Sequence, residues 1–395
     1  MNPPAYPVFD ADNHLYESPE IVTEYLPSQH RRDIHFVQVR GRTKIAIKGE
    51  ISEFMPNPTF ERVAAPGCHV PYYAGTNTEG KSLRELTGEP IDCPPAFREP
   101  GPRLALFDEL GINRSLMFPT MASLLEYSLE GDPDLTHTSV HAVNHWLHDT
   151  WSFDYQGRIY AVPVITLPIL ERAIEELEWV LERGARAILI RPGPVTGFHG
   201  SRSIGLPEFD PFWARVEEAG IPVCMHASFP PLTRYYEQWE PGRTSNAFEP
   251  TPLKRLLIRH REIEDAVAAL ICQGTLSRFP KLRVMSVENG ATWVGPLLDE
   301  LALTYRQLPQ EFAEDPLETF RRCVYVNPFW EDDIMQLVGR IGEDHVLFGS
   351  DYPHPEGLAE PLQFLDYLSE AGVSPSIQRK VMSDNANAIF GPPPA

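Results

Sequence analysis

LERAIEELEWVLERGARAILIRPG (170–193) decides the fold class, because its hydrophobic period changes partway along. Its first part, residues 170–184, repeats apolar residues at helical spacing. The second, RAILIRPG (186–193), is a short, near-continuous apolar run of the kind that forms a parallel strand buried on both faces. Working outward, seven more such runs occur: PVFDADNH (7–14), SLMFPT (115–120), YAVPVI (160–165), PVCMHAS (222–228), LRVMSVEN (282–289), CVYVNPF (323–329) and HVLFGSDYPH (345–354). Helical patterns lie between them, as in FDPFWARVEEAG (209–220) and AEPLQFLDYLSEAG (359–372), with Gly220 and Gly372 placed to end a helix in the left-handed conformation. Strand alternating with helix eight times predicts an α/β protein, a (β/α)8 TIM barrel; a doubly wound open sheet is the alternative.

Two long insertions interrupt the repeat. Residues 15–110 follow the first strand and contain IHFVQVRGRTKIAIKG, a predicted hairpin around Arg40-Gly41-Arg42. Residues 229–256 follow the fifth strand and are polar and aromatic. Loops after barrel strands gather at one face, so both insertions are expected to cover a site there or to form subunit contacts. The expectation is a single domain, 1–395, with a substantial cap.

Composition excludes several partners. With 34 basic and 55 acidic residues the net charge is −21, which repels nucleic acid and anionic membranes. A carboxylate substrate would therefore need a local arginine. Five scattered cysteines, never in a CxxC spacing, argue against a disulfide framework or a cysteine zinc site and fit a reducing cytoplasm. The start MNPPAYPVFDADNH lacks a signal-peptide pattern, and no run reaches the ~18 apolar residues of a membrane span. A small molecule is the expected partner, and the aromatic insertions point to a homo-oligomer, a dimer first.

The chemistry lies at the strand ends, which converge on one face in a barrel. Period-two alternation puts Asp10, Asp12 and His14 on one side of the first strand. His226 ends the fifth, and Asp351 emerges at the tip of the eighth after Gly349, with His354 just beyond. Any one of these could be a loop cap or a core histidine. Taken together, Asp12, His14, His226 and Asp351 make a shell of two carboxylates and two imidazoles for one divalent ion, Zn²⁺ or Mn²⁺, with a position left for water. Glu288-Asn289-Gly290 ends the sixth strand, Arg191 the fourth, and Glu17 follows the first.

On FDADNHLYE, MHAS, SVENGATWV, LFGSDYPHPEG and NANAIFG the chain resembles the amidohydrolase superfamily, in the branch of aminocarboxymuconate-semialdehyde decarboxylase and γ-resorcylate decarboxylase. The resemblance implies the same four metal ligands, with Asp12 where relatives carry histidine or glutamate. It also locates a departure: Glu288 stands where these decarboxylases carry a strand-six histidine. The lysine that binuclear relatives carry on strand four is absent, which implies one ion, and Arg191 there is free to pair with a substrate carboxylate or to form a structural salt bridge. Asp351, Glu288 and His226 are the expected catalytic groups, with Glu288 orienting or deprotonating water. Arg191, Asn289, Glu17 and His354 are expected at the substrate.

His137, His141, His145 and His148 share a helical stripe, but no HExxH glutamate accompanies them, so packing and surface roles are expected. No phosphate loop, GxSxG elbow or dinucleotide fingerprint occurs. Hydrolysis by metal-activated water is the first reading of the reaction. Non-oxidative decarboxylation of a hydroxyaromatic or related acid is the second, and a catalytically inactive binding protein a distant third.

Overall fold

Seven of the apolar runs form parallel strands in the computed structural model, which describes residues 4–393 apart from 53–56, 199, 229–232, 242–249 and 259. They are β1 (Phe9–Leu15), β2 (Arg114–Pro119), β3 (Ile159–Ala161), β4 (Ile188–Leu189), β5 (Val223–His226), β6 (Val284–Val287) and β7 (Val324–Val326). β1, β2 and β3 pair in one parallel sheet, and β4 to β7 pair in sequence order in another. A parallel bridge from Val164 to Leu189 links β3's continuation to β4. β3 ends early because Pro163 has no N–H to donate, but its carbonyl still accepts from the Leu189 amide at 2.8 Å.

The run at 345–354 differs from expectation. It bridges Val326 through Val346 and Asn13 through Tyr352 but forms no continuous strand. Its backbone bonds both neighbours, from Leu347 to Val326 at 2.9 Å and from Ala11 to Phe348 at 2.8 Å. What breaks it is Asp351, whose φ of 55° is incompatible with extended backbone.

Helices pack outside these strands. Leu170–Glu182 buries Ala173, Leu177 and Val180, one face at spacings of four and three. Asp210–Ala219 ends at Gly220 with φ 67°, as its sequence requires. The 359–372 pattern is a short 3-10 turn, Pro361–Gln363, followed by the helix Phe364–Glu370, with Gly372 at φ 74°. Among the described residues no helix is long and apolar enough to cross a membrane.

In the first insertion the hairpin forms as read. Ile34–Val39 pairs with Arg42–Ile47 antiparallel, and Arg40 and Gly41, at φ 51° and 75°, make the two-residue turn. Further along, the amides of Gly67 and His69 donate to the carbonyls of His354 and Pro355 at 3.2 and 2.7 Å. This seats the segment at 66–73 against the loop that follows Asp351. The second insertion lies partly outside the described residues; Thr233–Glu237 and Pro252–Ile258 within it are helical.

Candidate metal centre

β1 carries two acids on different faces, contrary to strict alternation. Its register with β2 shifts between Asp10 and Asn13, a bulge that rotates the chain by one residue. Asp10 thereby leaves the strand-tip cluster. Its carboxylate accepts from Ser350 N at 3.0 Å, Ser350 Oγ at 2.6 Å and Asn13 Nδ2 at 3.0 Å. Asp12 and His14 remain in the cluster. Gly349 lets the chain before Asp351 pass close to β1: a Cβ there would lie 2.4 Å from that of Asp12.

Ligand atoms of Asp12, His14, His226 and Glu288 lie within 4.8 Å of one another, as do those of His14, Glu288, Asp351 and His354. His14 Nε2 is 3.0 Å from His226 Nε2, 3.4 Å from Asp351 Oδ1 and 3.5 Å from both Asp12 Oδ1 and Glu288 Oε2. Glu288 Oε2 stands 3.1 Å from His226 Nε2. Glu288 is thus a member of the donor set, a place the sequence did not give it. Both Glu288 and Asp351 have left-handed backbone, φ 53° and 55°, a strain that aims their carboxylates inward.

The set fits a divalent cation. His226 Nδ1 lies 2.7 Å from the Ala227 carbonyl, which only accepts, so Nδ1 carries the proton and the neutral ring's Nε2 lone pair points at His14. Asp12 Oδ1 and Asp351 Oδ1 are buried without a hydrogen-bond donor. Donors bound at the usual ~2.0–2.2 Å stand roughly 3.0–3.5 Å apart around one ion, which matches the spacings from His14 Nε2 and between Glu288 and His226. Three carboxylates, Asp12, Glu288 and Asp351, also gather here, two of them buried.

Titration reflects that excess of negative charge. Burial, then Glu288, Glu356 and Asp12, push the Asp351 carboxyl well above its ordinary range. Burial also lowers the His14 ring, but the Asp12 and Glu288 carboxylates beside it outweigh burial and hold the ring at about 9. In the same way the nearby His14 and His226 rings overcome burial and draw the Asp12 carboxyl below its ordinary value. Protons shared among these groups occupy the role that a cation would fill. Phe118 forms an apolar wall, its ring 4.9 Å from that of His226 and 6.0 Å from that of His14.

The residues expected at the substrate are placed differently. Both terminal nitrogens of Arg191 lie 3.2 Å from Glu130 Oε1, a salt bridge within the protein. It borders a small cleft that no cluster residue lines. Asn289 spends its amide on the Met225 and Val287 carbonyls, at 2.9 and 2.7 Å, which locks the tips of β5 and β6 together. Glu17 accepts from the Met121 amide at 2.6 Å, and burial raises its carboxyl to about 7. His354 is in the cluster itself, stacked on His14 with centroids 3.9 Å apart.

Sequence reasoning missed Arg103, which is fully buried behind β1. It donates to Asn13 Oδ1 at 2.5 Å, the His14 carbonyl at 2.8 Å and the Ala96 carbonyl at 2.6 Å. A lone arginine in a helix gave no signal of this.

A family model described as amidohydrolase matches residues 10–391. A solved amidohydrolase from Mycobacterium avium subsp. paratuberculosis K-10 is 37% identical with a TM-score of 0.92, covering 98% of this chain and 99% of that one. The 2-amino-3-carboxymuconate-6-semialdehyde decarboxylase of Dictyostelium discoideum is 23% identical over 255 residues, 59% of this chain and 61% of its own length. The match thus spans about three fifths of that relative. A dihydroxybenzoic acid decarboxylase from Polaromonas sp. JS666, solved with manganese and the inhibitor 2-nitroresorcinol, shares the fold at a TM-score of 0.58 and 13% identity, covering 97% of this chain and 96% of that one.

Proposed function

The chain belongs to the amidohydrolase family, and on that premise we propose that it is a metal-dependent carboxy-lyase, removing carbon dioxide without oxidation from a small hydroxyaromatic or related unsaturated acid. This reverses the order of the two reactions read from the sequence. One observation carries the change: the curated relative aligned over 59% of the chain is a decarboxylase. The scaffold is read as a single domain, 1–395, a closed (β/α)8 barrel with insertions at 15–110 and 229–256, supported by the run of parallel pairings and bridges around the strands. A cytoplasmic homodimer completes the proposal, on the strength of the cysteine pattern and the aromatic insertions.

Asp12, His14, His226, Glu288 and Asp351 offer the ligands, and a divalent ion bound there supplies Lewis-acid polarisation of a substrate oxygen. Phe118 packs the ring of the substrate and keeps water from it. Asp351, at the tip of the eighth run beside the other ligands, delivers a proton to the ring carbon that bears the carboxylate. The bond to that carboxylate then breaks, its electron pair returns to the ring, carbon dioxide departs, and Asp351 regains a proton from solvent.

Hydrolysis remains a second reading because of Glu288, a carboxylate 3.1 Å from His226 Nε2 at the tip where the resemblance to the decarboxylases implies a histidine. Metal-loaded protein incubated with hydroxybenzoates and with lactones in ¹⁸O-water separates the two. Carbon dioxide release with no ¹⁸O in the organic product is the expected result. Acid release with ¹⁸O in the product, and no carbon dioxide, would replace decarboxylation by hydrolysis.

A further inference from the structure

We propose that His354 is a ligand of the metal through Nδ1, and not a substrate-binding residue. The proposal rests on reading the strand-tip cluster as a metal centre, and it is carried by an inventory of donors and acceptors around one ring.

Thr120 has a single hydroxyl proton, and its Oγ1 lies 2.9 Å from the Leu15 carbonyl, which can only accept. That proton is therefore spent. The same Oγ1 lies 3.2 Å from His354 Nε2, so there it accepts and Nε2 carries the ring's hydrogen. The neutral ring then presents a lone pair at Nδ1. This nitrogen stands 2.8 Å from Asp351 Oδ1, yet the two are not aligned for a hydrogen bond, and among the described residues neither atom has a hydrogen-bond partner. Two lone pairs facing each other at that distance repel. A cation bound to both removes the conflict, and at ~2.1 Å bond lengths adjacent donors on one ion stand about 3.0 Å apart.

The ring is also held rather than merely nearby. It stacks on His14 at 3.9 Å with an interplanar angle of 30°, its amide donates to the Asp351 carbonyl at 2.9 Å, and its carbonyl accepts from Gly67 at 3.2 Å. An imidazole that gives its outer N–H to an oxygen and turns the other nitrogen inward is the usual arrangement of a metal-bound histidine. His226 shows the same arrangement with the ring reversed, its Nδ1 on the Ala227 carbonyl and its Nε2 inward. The donor set gains an imidazole and leans toward zinc-type ions over magnesium.

The test compares wild-type protein with His354→Gln, both stripped and reloaded with Co²⁺, by competition for affinity and by X-ray absorption for the number of imidazoles per ion. Expected are the loss of one imidazole and binding weakened about tenfold or more. Unchanged affinity with an unchanged imidazole count overturns the proposal, and so does weaker binding with the count unchanged, since that would make His354 a positioning residue. If the wild type takes up no metal, the reading of the centre fails instead. Should His354→Gln not fold, anomalous diffraction from a metal-soaked wild-type crystal decides: Nδ1 at bonding distance supports the assignment, and an ion out of its reach overturns it.

Discussion

His14, His226 and His354 at the strand tips and His137, His141, His145 and His148 on the outer helix Pro133–Trp151 are the same side chain in two kinds of surroundings. On the helix each ring faces a carboxylate or an amide. His141 Nδ1 is 2.7 Å from Glu176, whose other oxygen Asn144 holds at 2.7 Å. His137 Nε2 accepts from the Ile169 amide at 3.0 Å, and His145 and His148 share Asp149 at 3.6 and 3.3 Å. At the strand tips the outer nitrogens of His226 and His354 are bonded to oxygen while the inner ones face other acceptors. The difference separates a packing stripe from a metal centre. What marks the centre is a set of buried acceptors that outnumber the protons among them, and histidine spacing alone does not reveal that.

The largest effect expected from breaking the comparison lies at the tips. His226→Ala or Asp12→Asn should remove bound metal and lower kcat/KM by roughly 10³, since the metal's share of the barrier is several kcal/mol. His145→Ala on the helix should change neither. Metal content by mass spectrometry of the intact protein checks both arms, and equal losses from the two sets would erase the distinction.

Next in size is the support behind β1. Arg103→Met keeps much of the apolar bulk but strips three buried oxygens of their donor, including the carbonyl of His14. A cost of about 3–5 kcal/mol in denaturant unfolding of the metal-free protein is expected, the range for breaking a buried charged network. The helix stripe has no equivalent brace, so no histidine substitution there should approach it.

The strands were readable because each is a continuous apolar run, and Asp12, His14, His226 and Asp351 because each ends one. Partners distant in sequence were not readable. Arg191 finds Glu130 on a separate element 61 residues away, and Asn289 finds the Met225 carbonyl 64 residues away. The bulge that turns Asp10 aside depends on Ser350, on the far side of the chain, offering two donors to its carboxylate. Glu288 joins the ligands through a left-handed backbone that nothing in its residue type demands. Local pattern reports which residues are at the tips; the direction each points is fixed by neighbours far along the chain.

The smallest expected effects sharpen the comparison within the stripe itself, where two histidines should respond to pH with opposite sign. Burial, then Arg172, lowers the His137 ring from 6.5 to about 4 in the fold. Between those values the unfolded chain binds a proton that the folded one refuses, so stability falls as pH drops from 6.5 toward 4. His137→Gln, which can still accept from Ile169 but does not titrate, should flatten that fall by up to about 3 kcal/mol, at about 1.4 kcal/mol for each pH unit between 6.5 and about 4. His141 is raised above 6.5 by its bond to Glu176, so its contribution is full below 6.5 and is lost as pH rises through the raised value. Its side chain is 45% exposed, which screens the pair to below about 1 kcal/mol. Urea unfolding of each variant from pH 4 to 9 reads both signs, and a common sign for the two would mean that Glu176 is not the partner that holds His141.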